Sequence, residues 1–565
     1  MTTLRIKKIL FPLLFTAFLM PLLCSTAFAS EGGVFTPRLW VWLFAQLHLY
    51  FAAFILSVPV FVLILELTGV IRKDKRFDRV AREFLAISVV THIVTVILGV
   101  IFAAVVFSLY SNLSGYMYKA FSPTVKLYAA IIIIDIALLY LYYLLWSRLG
   151  SGRGKLLHLG IGLLLNLSGI AIMFIANAWT TFMMAPTGVD ASGVVVDLWQ
   201  AINNPLWHPM NLHRFVANIA FGGAIVAAYA AYRFLSAARE EERARYDWMG
   251  YIAAVVSILA LLPLPFAGYW LTSEIYSYSQ QMGITLMGGV FGWMFIAQAA
   301  VIGTLFLGAN YYLWCGFERA KGGAVYRPYV KYIAIVLALC FLVWFTPHTP
   351  HLSSLELKEI GGRFHPLLAP LGLMPAKNIA VNIMILATFV SFLLFRRAVR
   401  SSSVSWAAIG KTIQAGILSA AVLNIIFLGV YYGYFADSVY KITSSIPQVL
   451  TTLFALISCS VIEFFIYRGG ESVEHKWGGA SERSQYALIV LAVSFTWLMG
   501  LMGFIRSAIR QHWHVYTVVR DVSADAFTPT ISYAAKVVSI ITLIFLAIII
   551  VIFRISHLRR AGEDR

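Results

Sequence analysis

The residues of this sequence best suited to chemistry are a few histidines and one methionine set in apolar surroundings. Asn211-Leu212-His213-Arg214-Phe215-Val216-Ala217-Asn218 opens an apolar run to about Tyr232 and puts an imidazole near one end of a membrane helix. A neutral imidazole carries a lone pair and is a natural axial ligand for heme iron. Met294, near the start of the helix after next, is a second soft donor. Heme takes one axial ligand on each face, so two helices must flank it, and a thioether ligand favours reduced iron and raises the potential. The competing readings are a polar residue hydrogen-bonded between helices for His213 and core filling for Met294.

Other residues extend this set. His48 either ligates a second heme or bonds between helices, and His92 is divided between ligand and packing roles. Asp135 is an intramembrane carboxylate, costly unless paired or wet, and reads as a proton relay or as the partner of a helix amide such as Asn166. Arg506 and Arg510 suit heme propionates, because a guanidinium fork matches a carboxylate, although exposed interfacial arginines are common. Thr346-Pro347-His348-Thr349-Pro350-His351, with His365, has a spacing that could take copper, zinc or a heme, or it is a proline-rich turn. His512 and His514 follow the twelfth apolar span and are further candidate ligands.

The elements that must position these groups are membrane helices. Of 565 residues, 60% are hydrophobic and 12% charged, against about 25% charged in soluble domains. The formal net charge of +18 lies in short loops between apolar stretches, the pattern of membrane topology and not of a nucleic-acid surface. The four cysteines, Cys24, Cys315, Cys340 and Cys459, form no C-x-x-C-H for a c-type heme and no zinc framework. Residues 1–29 read as a signal peptide: basic Arg5, Lys7 and Lys8, apolar Ile9 to Leu23, then Ala27-Phe28-Ala29. Thirteen apolar spans follow, at 39–69, 84–110, 123–146, 156–184, 211–236, 249–271, 286–315, 331–347, 378–396, 408–435, 446–467, 485–506 and 530–554. Arg72-Lys73-Asp74-Lys75-Arg76, 148–155, 239–245, 319–331, 396–400 and the tail with Arg559 and Arg560 concentrate the positive charge, which sets the N-terminus outside and the C-terminus inside. The expected fold is an all-α polytopic membrane protein, with His48, His213 and Met294 at one depth near the outer face.

With the spans in place, several motifs align with one family. Gln46-Leu47-His48-Leu49-Tyr50 with Pro59 and Glu66, Ser122-Pro123 followed by Asp135, Asn166-Leu167-Ser168-Gly169 followed by Ala176-Asn177-Ala178-Trp179, His213, Gly292-Trp293-Met294, and Ile509-Arg510-Gln511-His512-Trp513 stand in the order found in subunit I of cytochrome bd quinol oxidases. The chain resembles that family over about 40–315 and 485–555. The resemblance implies a low-spin heme b held by His213 and Met294, a further heme b or d near His48, Arg510 in a family motif, and Asp135 at the second of two membrane carboxylate positions. It also implies quinol as electron donor, oxygen as acceptor and a second membrane subunit. Three departures stand out: Leu127 replaces the first carboxylate, Ser507 falls where a glutamate ligates heme, and the long quinol loop shrinks to about 272–286, with Glu274.

Four segments follow from this reading: the signal peptide at 1–29, heme-binding helices at 39–315, an inserted four-helix segment with the His-containing outer loop at 331–470, and a final helix pair at 485–555. The expected function is the heme-b subunit of a bd-like respiratory complex in a bacterial-type cytoplasmic membrane, with periplasmic-side heme sites, oxidising quinol and reducing oxygen. One alternative is a quinol dehydrogenase subunit delivering electrons to an outer-face c-type cytochrome. Another, from a different class, is a cofactor-free transporter or assembly protein.

Overall fold

The computed structural model describes residues 37–287, 291–347, 368–436, 445–471, 476–523, 526 and 531–563. The expected signal segment and His348, His351 and His365 lie outside the described residues. Fourteen long helices are described: α1 (Pro37–Arg72), α2 (Lys75–Leu109), α3 (Ser111–Leu144), α4 (Gly152–Phe182), α5 (Trp207–Ser236), α6 (Glu240–Leu261), α7 (Leu264–Tyr278), α8 (Gly292–Gly316), α9 (Val330–Phe345), α10 (Met374–Val399), α11 (Ala407–Val430), α12 (Ser445–Tyr467), α13 (Glu482–Ala508) and α14 (Ile531–Glu563). By length and composition they supply 13 candidate membrane spans, α6 and α7 together making one. The protein is therefore an all-α polytopic membrane protein.

Local sequence explains the breaks. The Asp74 side chain accepts the Arg76 backbone N–H at 2.9 Å and caps α2. Phe121 leaves helical geometry just before Pro123, whose ring cannot follow an unbroken helix, and α3 kinks there. Gly152 takes a φ of 58°, a value that suits a residue without Cβ, where the chain turns into α4. Pro263 separates α6 from α7. The sequence suggests a loop over 272–286, but α7 runs to Tyr278 and a further helix covers Gln280–Met287. This stretch has polar residues but no proline, so nothing in it forbids helical hydrogen bonding.

The described residues divide into two compact units. The first holds those within 10–229, 251–284 and 495–565. Here α1 packs on α2, α4 and α14, and α3 packs on α2 and α4. One end is covered by the segment after α4 and by a hairpin of β1 (Trp513–Val515) and β2 (Val519–Arg520). The hairpin pairs Trp513 with Arg520, and Tyr516 N–H donates to the Met183 carbonyl at 3.0 Å. Leu113, Phe121, Phe182, Ala201 and Val515 form the apolar core under this cover.

The second unit holds 230–250 and the described part of 285–494. In it α10 is central, contacting α8, α9, α11 and α12. The Asp247 carboxylate accepts from Arg319 and from the Gly478 N–H, the latter at 2.9 Å.

Candidate functional site

In the first unit, His48 on α1 points at α2. Its Nδ1 lies 3.1 Å from the Thr95 carbonyl oxygen, which can only accept, so Nδ1 carries the proton and Nε2 keeps the lone pair. Among the described residues Nε2 has no hydrogen-bond partner. Gly99 makes this orientation possible: a Cβ there would sit 2.9 Å from His48 Cε1. The Phe102 ring stacks on the imidazole, with centroids 6.2 Å apart. His92, three residues before Thr95 on α2, is buried with both ring nitrogens unpartnered, and its ring meets Tyr140 edge-on at 6.4 Å.

His213 on α5 is half-buried, and neither ring nitrogen has a hydrogen bond among the described residues. Gly268 leaves space beside it, a Cβ there falling 3.7 Å from Nε2. Its neighbour Arg214 donates to Asn177 Oδ1, and Asn177 Nδ2 donates to Asn211 Oδ1 at 2.7 Å. Asn177 is the asparagine of the Ala176-to-Trp179 motif, and it is fully buried. The charge of Arg506 acts on both Arg214 and Arg510.

Arg510 is buried at the end of α13, where burial and the like charges of Arg506 and Arg38 push its guanidinium down to about 9. It donates to the His514 carbonyl, and its Nη2 reaches Ser507 Oγ at 3.5 Å. Arg510 Nε and Arg506 Nη1 are buried without a partner. Still protonated at neutral pH, these guanidinium groups want an anion. The His514 ring lies tilted against Tyr110, with centroids 4.4 Å apart, and its Nε2 lies 3.5 Å from Asp521 Oδ1. The His512 carbonyl accepts the Asp521 N–H at 2.7 Å.

Asp135 on α3 accepts from Ser168 Oγ on α4. Asn166 is not its partner: its Nδ2 donates to the Gly162 carbonyl at 2.8 Å and the Pro59 carbonyl at 3.2 Å. Glu274 is half-buried and accepts from Trp270 Nε1 at 3.2 Å. Met294 lies in the second unit, fully buried in the first turn of α8. Among the described residues no group of three His, Cys, Asp or Glu has metal-binding geometry.

Sequence reasoning missed one cluster. Glu66 near the end of α1 is fully buried, accepting from Tyr142 Oη, facing His158 Nδ1 and paired with Lys155 Nζ at 2.8 Å. Lys155 reads in sequence as one more loop charge, and His158 stands in no motif. The usable signal was the intramembrane Glu66 itself, which demands partners.

Heme was expected from sequence, and the residues fit it. His48 and His213 each have a ring nitrogen with no hydrogen bond among the described residues, and Arg506 and Arg510 hold buried donor atoms with no protein acceptor, as propionates require.

Comparison with known proteins gives a likeness to a terminal oxidase subunit. Residues 37–305, 269 of the 565, match the family of cytochrome bd terminal oxidase subunit I. The match covers His48, Asp135, His213 and Met294 and ends before α9. Among solved structures, the bd oxidase from Geobacillus thermodenitrificans is similar at 13% identity, over 76% of this chain and 97% of that one, with a TM-score of 0.42. No curated protein matches the chain.

Proposed function

We propose that the chain is the heme-b membrane subunit of a bd-type respiratory complex that oxidises quinol and reduces oxygen. One observation carries the reading. Within the family-matched stretch, His48 has its Nδ1 committed to the Thr95 carbonyl, which leaves the Nε2 lone pair available as a ligand. His213 is the ligand of the low-spin heme b in this reading, and its pairing with Met294 rests on the sequence resemblance. When bound, the hemes supply one-electron transfer and oxygen binding. The chain's own residues do the rest. His48 and His213 would hold iron, Arg506 and Arg510 would neutralise propionates, and Asp135 with Ser168 would hold a proton inside the membrane. The hemes lie toward the outer face of a bacterial-type membrane, and a second membrane subunit completes the complex.

The dehydrogenase reading, with an outer-face c-type cytochrome as acceptor, has one observation in its favour. Ser507, standing where the family's glutamate ligand falls, is engaged by Arg510 and offers no carboxylate. A reduced-minus-oxidised spectrum and heme count on the purified complex, with and without His213→Ala, test the proposal. Two or more hemes, loss of the low-spin b band in the variant, and oxygen consumption with a quinol are expected. Hemes without oxygen consumption favour the dehydrogenase. A folded protein with no heme removes both redox readings and leaves the transporter class.

A further inference from the structure

Where α8 ends and α9 and α13 begin, the second unit holds an open cleft of about 870 Å³. Part of its wall is aromatic. Tyr311 and Trp314 stand one turn apart on α8, and Tyr486 comes from α13. Trp314 is fixed in place, its Nε1 donating to Ser391 Oγ at 3.1 Å. Tyrosine and tryptophan, with an apolar body and a polar tip, are the side chains that settle where membrane meets water. The cleft lies at that level, among the ends of three candidate spans.

Three cations reach the cleft from separate points of the chain. Arg327 stands just before α9, Lys331 in the first turn of α9, and Arg483 in the first turn of α13. The charge of Arg483 acts on Tyr311, across the cleft on α8. Two carboxylates, Glu318 and Glu482, line the same space, so one positive charge is in excess. Glu318 Oε1 lies 3.8 Å from Arg327 Nη2, a long pair between exposed side chains that a competing anion can open. Lys331 lies over the Tyr332 ring at 4.9 Å, and neither it nor Arg483 is paired with a carboxylate among the described residues.

An apolar stripe leads away from these charges. On α9, Ile335, Leu339 and Leu342 follow Lys331 at helical spacing, and all three are exposed. On α8, Leu307, one turn before Tyr311, is exposed as well. Apolar faces of membrane-spanning helices lie against acyl chains. Cations at the head of such a stripe match a molecule with an anionic end and long hydrocarbon chains.

We propose that this cleft binds the headgroup of an anionic phospholipid, with its phosphodiester held by Lys331 and Arg483, Arg327 at the rim, and its acyl chains along α9. A free phosphate ion offers the same oxygens to these cations but leaves the apolar stripe unused. The lipid uses both. The inference stands on the second unit alone and does not depend on the oxidase reading.

The native Cys315 thiol reports on the cleft. It is partly exposed there, within hydrogen-bonding reach of Tyr311 and Ser481, whereas Cys340 and Cys459 are buried. The purified complex is placed in nanodiscs of phosphatidylcholine, alone or with phosphatidylglycerol added. Alkylation of Cys315 by N-ethylmaleimide is timed by mass spectrometry of its peptide. Phosphatidylglycerol is expected to slow the alkylation. In Lys331→Gln/Arg483→Gln the fraction of phosphatidylglycerol that gives half protection is expected to rise about 30-fold. Lys331→Arg/Arg483→Lys keeps both charges and is expected to keep the protection, which separates loss of charge from loss of folding. If the double glutamine variant does not assemble, Arg483→Gln decides alone, with a rise of about fivefold. Equal alkylation with and without phosphatidylglycerol overturns the inference, as does protection that survives removal of both charges. Equal protection by inorganic phosphate in phosphatidylcholine discs makes the cleft a site for a free anion and overturns the lipid assignment.

Discussion

At the scale of single residues, orientation separates the histidines. His48 is held by one hydrogen bond that leaves its other nitrogen uncommitted, and Gly99 provides the space. Gly99→Val would push side-chain atoms into the imidazole, which stands 2.9 Å from where even a Cβ would be. The expected outcome is loss of one heme from the purified complex with the low-spin b band kept, measured by heme extraction and reduced spectra. His514 gives a prediction in pH. Burial holds it below its ordinary 6.5, and the Asp521 charge opposes this only in part. Between the lowered folded value and 6.5 the unfolded chain binds more protons, so stability rises with pH across that window and is lost as pH falls through it. His514→Gln is expected to flatten this acid limb, read as the thermal midpoint against pH for both proteins.

At the scale of elements, the polar residues of α4 explain why that helix carries the most specific motif. Asn166 ties it to α1, Ser168 to Asp135 of α3, Asn177 to Asn211 and Arg214 of α5, and Trp179 Nε1 to Thr124 Oγ1 of α3 at 2.9 Å. In an apolar medium such bonds, and not hydrophobic burial, hold helices together. The helices of the second unit follow the same rule. On α12 the buried face is Ser445, Gln448, Thr452, Ala455, Cys459 and Glu463, while Leu450, Phe454, Ile457 and Val461 are exposed. Glu463 pairs with Arg397 of α10 at 3.3 Å and accepts from Gln414 of α11 at 3.0 Å. Arg397→Met leaves that carboxylate buried without its cation and is expected to cost about 3–5 kcal/mol. Adding Glu463→Leu should return most of it, measured by denaturant unfolding in detergent.

At the scale of the whole molecule, the helices that match a terminal oxidase family, through residue 305, are followed by α9 to α12, which lie beyond the match. Oxygen consumption with a quinol is expected to be abolished by His48→Ala, while His213→Ala and Met294→Ala change the low-spin b band. Retention of that band in both latter variants would remove the expected ligand pair.

The membrane class, the number of spans and the presence of unusual polar groups inside them were determined by the sequence alone. A run of about 20 apolar residues has one stable outcome in lipid, and each buried His, Asp or Glu announces itself by its cost. His48, His92, Asp135 and His213 were legible for that reason, and the order of the motifs pointed to the family that residues 37–305 match. What each polar group touches was decided only by tertiary structure. Glu66, Tyr142, Lys155 and His158 are spread over 92 positions and meet because α1, α3 and α4 pack side by side. Asp135 found Ser168 and not Asn166, since a shift of two residues on a helix turns a side chain by more than half a turn. A polar residue in a membrane helix states that it needs a partner, and packing supplies which one.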